Sequence, residues 1–120
     1  MNDRPHKKLR AWQKSMNMVE RVYEVTQRFP GNEEFGLKSQ LRRASVSVPS
    51  NIAEGMTRRS KNEKVYFLGI SQSSLSEIDT QLEIALRLKY LTLSDYESME
   101  RILMEIQMLV SGLSRKYLER

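Results

Sequence analysis

Arginine and lysine are the residues of this chain whose type and spacing offer chemistry, and the chemistry is phosphate recognition. Two arginine pairs, Arg42-Arg43 and Arg58-Arg59, are followed by Lys61 and Lys64. A guanidinium is a planar fork that donates two hydrogen bonds to one phosphate, so paired arginines backed by lysine suit an anionic backbone. Gathered around one helix and the loop after it, Arg42, Arg43, Arg58, Arg59 and Lys61 form the candidate nucleic-acid site. The stretch between the pairs also admits a structural use. Asn51 and Glu54 can tie the loop down, with Glu54 pairing Arg58 across the turn, because charge runs commonly form solvated faces. Trp12, Tyr66 and Phe67 read as core, which leaves little aromatic interleaving for stacking single-stranded bases.

Other reactive residue types do not occur in working combinations. There is one histidine, His6, in a polar N-terminal arm, and there is no cysteine. One imidazole with no thiolate cannot build a zinc hydrolase site, and a di-metal bundle site needs Glu-x-x-His pairs on facing helices. The five glycines never cluster into a phosphate-cradling loop. Ser71, Ser73, Ser74 and Ser76 lack a histidine partner for nucleophilic catalysis and, with Gly69, read as a close-packing surface. Asp79 and Glu83 fall one turn apart on one helix face, the spacing of a solvated pair. The expectation is a protein that is not an enzyme, with no catalytic residues, no metal and no cofactor.

The elements that must position the basic residues are helices. A chain of 120 residues with 39% hydrophobic and 29% charged residues has the size and composition of one globular domain. That domain is expected over residues 1–120, with a short flexible arm at 1–7. No stretch is long and apolar enough for a membrane span and no secretory leader is apparent, which with the lack of cysteine suggests a cytoplasmic setting. The formal charge of +5 is uneven: residues 1–64 hold fourteen Lys and Arg against seven Asp and Glu, residues 65–120 six against eight. A basic half is a nucleic-acid signal. It also fits two halves of a helical protein attracting each other, or like subunits docking through opposite charges.

Apolar residues recur by threes and fours in four segments. The first, Lys8 to Arg28, places Leu9, Trp12, Met16, Val19, Tyr23 and Thr26 on one face, and Phe29-Pro30-Gly31-Asn32 ends it. The second, Glu33 to Glu54, is expected to be capped by Asn32, to kink or break near Ser45–Pro49, and to stop at a left-handed Gly55. The third, Lys61 to Lys89, opens on the capping box Ser60-Lys61-Asn62-Glu63, and the fourth, to about Tyr117, on Ser94-Asp95-Tyr96-Glu97. The fold class is all-α, an up-down-up-down antiparallel four-helix bundle. Met18, Val22 and Val25 on the first helix, with Ile102, Met104, Met108 and Leu109 on the fourth, widen the apolar faces beyond one bundle core. Such a surplus marks either a self-association surface, the reading it favours, or well-buried helices in a small bundle.

Several motifs resemble a known family. Leu9-Arg10-Ala11-Trp12-Gln13-Lys14-Ser15-Met16, Phe29-Pro30, Phe35-Gly36-Leu37 and Gln40-Leu41-Arg42-Arg43-Ala44 are similar to the four-helix-bundle proteins encoded in bacterial 23S rRNA intervening sequences. Ser47-Val48-Pro49-Ser50-Asn51-Ile52-Ala53-Glu54-Gly55 and Tyr66-Phe67-Leu68 continue the resemblance, which spans about residues 8 to 118. It implies a small bundle that assembles as a homopentamer, without implying a settled activity. The chain also resembles the accessory variability proteins of diversity-generating retroelements, basic bundles that associate with a reverse transcriptase and with nucleic acid. Two functions follow as expectations: an oligomer that binds structured RNA or another nucleic acid, or an oligomeric scaffold for a protein partner such as a reverse transcriptase.

Overall fold

The computed structural model describes residues 4–118, so residues 1–3 of the expected arm lie outside the described residues. A one-turn 3-10 helix, Pro5–Lys8, leads into α1 (Arg10–Thr26), α2 (Leu37–Met56), α3 (Lys61–Arg87) and α4 (Leu93–Leu118). No strand occurs among the described residues. Each helix packs on the two beside it, α1 on α2, α2 on α3, α3 on α4, and α4 back on α1, to make an all-α four-helix bundle. Cross-helix bonds fix the register. Ser74 Oγ meets Ser47 Oγ at 2.9 Å and Gln81 Nε2 meets Gln40 Oε1 at 3.4 Å, so residue numbers along α2 and α3 run in opposite senses.

Ala44, Val48 and Ile52 of α2 close on Leu68, Leu75, Ile78 and Leu82 of α3 and on Met99, Leu103, Ile106 and Val110 of α4. From α1 the core takes Ala11, Met18, Val22 and Val25, the last three fully buried. This corrects the expectation from spacing, which puts those three outside. The face that spacing assigns to the core is divided: Thr26 is fully buried, Leu9, Trp12 and Val19 are half-buried against the core, and Met16 and Tyr23 are 41% and 39% exposed. Both stripes have helical spacing, and the closure of α4 onto α1 decides between them. On α4 the surplus divides, Ile102 and Leu109 half-buried, Met104 and Met108 59% and 72% exposed.

Four local expectations are corrected. Asn32 lies in a 3-10 turn, Gly31–Glu33, and α2 starts only at Leu37, whose amide donates to Glu33 Oε1 at 3.0 Å. Pro49 does not break α2, and Gly55 is not left-handed. A Cβ at Gly55 would stand 3.1 Å from Phe67 Cβ and 3.3 Å from the Lys64 carbonyl oxygen, so this glycine serves the close approach of α3. The cap of α4 is Thr92, whose hydroxyl accepts from the Asp95 amide at 3.1 Å, two residues before the expected Ser94. The Ser60 cap is as read, with Oγ accepting from the Glu63 amide at 3.2 Å. Lys89, at φ 66°, makes the left-handed turn between α3 and α4.

Candidate nucleic-acid interface

The unbroken α2 separates the two arginine pairs. At about 1.5 Å per residue, Arg43 and Arg58 lie roughly 20 Å apart along the helix axis, at opposite ends of the bundle. Arg42 is engaged with α1: its Nε donates to Thr26 Oγ1 at 2.9 Å, its Nη2 to the Tyr23 carbonyl at 3.2 Å, and its guanidinium lies 4.3 Å over the Tyr23 ring. It thereby satisfies a carbonyl at the C-terminal end of α1, where a cation also meets the negative pole of the helix. Arg43 is exposed on the next position.

Arg58, Arg59 and Lys61 do come together, in the turn between α2 and α3. Arg58 pairs with Glu54, one turn back on α2, and lies 4.8 Å over the Phe67 ring. Its Nε is buried without a partner. Arg59 and Lys61 are exposed. Of the five residues singled out by the sequence, these last two combine exposure with membership of one cluster.

What the linear reading missed is the rest of that cluster. The 3-10 turn at Pro5–Lys8 packs on both α1 and α2, with Arg4, Pro5 and His6 facing Ala53, Glu54, Met56 and Thr57 across a cleft of about 380 Å³. Leu9 and Arg10 lie beside Leu113 and Lys116 of α4. Lys64 reaches from α3 to the Met56 carbonyl at 3.4 Å and over the Tyr117 ring at 5.5 Å. Residues 4–16, 50–66 and 105–118 thus form one end of the bundle, and that end carries eleven Lys and Arg against three Asp and Glu. The remaining described residues carry eight against ten. The division into a basic N-terminal half and a mildly acidic C-terminal half becomes a division between ends, because Arg115 and Lys116 return to the same end as Lys7 and Lys8.

Two of the three carboxylates at this end are already occupied. Glu105 faces both Arg10 and Lys14 at 3.6 Å, and Glu54 holds Arg58. Among the described residues, Arg4, Lys7, Lys8, Arg59, Lys61, Arg115 and Lys116 have no carboxylate within ion-pair distance. His6 sits edge-on to Trp12 at 5.2 Å, and partial burial together with Lys7 and Arg4 holds its imidazole below the usual histidine range. It is therefore neutral near pH 7, and the charge of this end comes from lysine and arginine.

No group of three or more His, Cys, Asp or Glu placed to hold a metal ion occurs among the described residues, and no described helix is long and apolar enough to cross a membrane. Two of the buried serines are spent on structure: Ser15 donates to the Ala11 carbonyl at 2.6 Å and Ser71 to the Val48 carbonyl at 2.9 Å.

A family model described as 23S rRNA-intervening sequence protein matches residues 7–112. Among solved structures, the chain is similar to a protein of unknown function from the S23 ribosomal protein family of Bacteroides thetaiotaomicron. The TM-score is 0.81 at 24% identity, covering 88% of this chain and 95% of that one, and the likeness extends to the fold. No curated protein matches it.

Proposed function

This chain belongs to the 23S rRNA-intervening sequence protein family, and we propose that it binds structured RNA through phosphate contacts at the basic end of the bundle. The observation that supports this is the concentration of eleven cations against three carboxylates at one end. Nothing in the family or its structural relative points to catalysis. Lysine and arginine without a base-shaped pocket give affinity from phosphate and counterion release, with little sequence preference.

Self-association completes the proposal. Met104 and Met108 stand exposed on α4, on the side facing α3, where Gln72 Nε2 bonds the Gln107 carbonyl at 3.1 Å. Across the bundle, between α1 and α2, runs an apolar groove lined by Trp12, Met16, Val19, Val46, Pro49 and Ala53. A methionine ridge of one copy in the groove of the next is a head-to-tail contact that generates a closed ring, five copies by the family resemblance. A ring multiplies a modest phosphate patch into useful avidity.

Binding of a labelled structured RNA across a salt series, with mass read by light scattering in the same samples, tests both parts. Arg59→Glu with Lys61→Glu should weaken binding by more than about tenfold at moderate salt and flatten the salt slope by roughly 0.7–0.9 for each phosphate no longer neutralised. Arg43→Glu, at the other end, should leave both unchanged. Equal effects from the two ends would refute an interface confined to the basic end. A protein-scaffold role becomes the better account if RNA fails to bind even at low salt while the oligomer persists.

A further inference from the structure

One aromatic ring at the basic end is not accounted for by phosphate binding. Tyr66, expected in the core, is 64% exposed on the second turn of α3, about 7 Å along the axis from Lys61. Its ring is held from one side, edge-on to Phe67 at 5.3 Å and 83°, and Phe67 in turn lies under the Arg58 guanidinium at 4.8 Å. Gly55 makes this stack possible, since its missing Cβ lets Phe67 sit against α2. Tyr66 is therefore positioned by neighbours while most of its surface stays in solvent.

On one side of the ring the helix face is uncharged, while Glu63 lies one turn back on the other. Asn62, Gly69 and Ser73 lie one and two turns away on the same exposed stripe, and space is open around Gly69, where an added Cβ would meet nothing within 4 Å. Cations border it: Arg58, Arg59 and Lys61 precede it in the turn, with Glu63 the carboxylate on the same turn of α3. A flat π surface with hydrogen-bonding edges, next to the exposed cations Arg59 and Lys61, matches an unpaired nucleotide, whose base stacks while its phosphate is neutralised. Inside a duplex each base face is covered by its neighbours, so the ring meets a free face at a loop, a single strand or a terminus.

We infer that Tyr66 is a stacking platform for an unpaired base, so that the basic end takes looped or single-stranded RNA in preference to plain duplex. This rests on the basic end being the RNA interface, and it narrows the class of RNA bound there. Two labelled RNAs separate the two ideas: a hairpin with a loop of unpaired adenines, and the same stem closed as a blunt duplex.

Tyr66→Ala should weaken hairpin binding by about 5- to 100-fold, the range for removal of one base–aromatic stack, and leave duplex binding unchanged. Tyr66→Phe should retain hairpin binding, because the ring and not the hydroxyl does the stacking. Gly69→Gln adds a side chain one turn from the ring, at a position where its Cβ meets nothing within 4 Å, and should also lower hairpin affinity selectively. Wild-type protein that binds both RNAs equally, with Tyr66→Ala having no effect, would overturn the platform and spare the phosphate interface. Failure of wild-type protein to bind either RNA would overturn both. A Tyr66→Ala protein that loses mass by light scattering and weakens on both RNAs alike would overturn the platform and assign the ring to the interface between copies instead.

Discussion

The two ends of the bundle use charge in opposite ways. At the end where α1 runs out and α4 begins, most cations are held in structural contacts, with Arg43 exposed. Asp95 accepts from Arg21 at 2.9 Å and from Arg28 at 2.6 Å, Arg87 donates to Glu83 at 3.0 Å, Lys38 to Glu34 at 3.0 Å, and Arg42 to carbonyl and hydroxyl oxygens of α1. At the end where the turn between α2 and α3 meets both termini of the described chain, cations outnumber carboxylates and most are unpaired. Uncompensated like charge brought together by folding destabilises the compact state through self-repulsion. An arrangement that costs stability, most of whose cations lack a carboxylate partner, is what a surface for an anionic partner requires, and that is the physical ground for proposing RNA binding at this end and not the other.

The largest expected effect at the structural end comes from Asp95. Its side chain is 18% exposed and its carboxylate links α4 to two arginines, one of α1 and one of the loop after it. Asp95→Ala should destabilise the protein by about 1–3 kcal/mol, the cost of removing two charge-assisted bonds and leaving a half-buried Arg21 with only the Glu24 carboxylate at 3.8 Å. Urea unfolding would measure it. Hydrogen bonds from Arg28 and Arg21 hold the Asp95 carboxyl below its ordinary range. The folded state thus favours the ionised form, and its contribution is present above the ordinary carboxylate pKa and is lost as pH falls through the depressed one. RNA affinity at neutral pH should not change, and a loss there matching that of the Arg59/Lys61 reversal would erase the distinction between the ends.

At the basic end two glycines sharpen the comparison with effects of opposite sign. Gly55→Ala pushes a methyl group against Phe67 Cβ and the Lys64 carbonyl, both carried on the α3 backbone, and should destabilise by about 1 kcal/mol after the gain in helix propensity. Gly69→Ala meets open space and should stabilise by about 1 kcal/mol. Thermal unfolding of the two variants reads both. Gly55→Ala should also loosen the Arg58–Phe67–Tyr66 stack, so its hairpin RNA affinity should fall while that of Gly69→Ala holds.

How far the sequence discloses this molecule depends on whether a feature is set by local spacing or by which distant segments meet. The helices, the Ser60 cap and the buried stripe of α2 follow from period and cap chemistry within a few residues. The face of α1 does not: its apolar arc is wide enough for two stripes, and α4 selects Met18, Val22 and Val25. The candidate site divides in the same manner. Arg59 and Lys61 are visible as neighbours in the chain, whereas Lys7, Lys8, Arg115 and Lys116 join them only once the helices return to a shared end. Arg42 has the look of a phosphate ligand because nothing in the sequence reveals that the end of α1 will present it with a carbonyl, a hydroxyl and a ring. A helical wheel of α3 carries one usable signal for Tyr66, which falls opposite Leu68, Leu75 and Leu82, with Asn62, Gly69 and Ser73.

The smallest expected effect separates the α3–α4 seam from both ends. Glu100 of α4 faces Asp79, Glu83 and Arg87 of α3 and Tyr96 of its own helix. Tyr96 donates to Glu83 Oε1 at 2.9 Å, and Arg87 donates to Glu83 Oε2 at 3.0 Å, so the cation in the group is committed to Glu83. Glu100 is left with burial of its carboxyl, a hydrogen bond to Asp79 and the negative charge of its neighbours, which push it up to about 7. Its Oε2 is buried without a partner. A raised carboxyl means that the folded chain keeps a proton which the unfolded chain releases, so stability falls as pH rises from the ordinary value near 4.5 towards about 7 and is level beyond it. Glu100→Gln makes that group permanently neutral while preserving a donor for Asp79. The variant should lose this part of the pH slope and be more stable than the parent at pH 8, as read by urea midpoints between pH 5 and pH 8. Its RNA salt dependence should match the parent at every pH, because the proton sits in a seam between helices and not among the unpaired cations at the basic end.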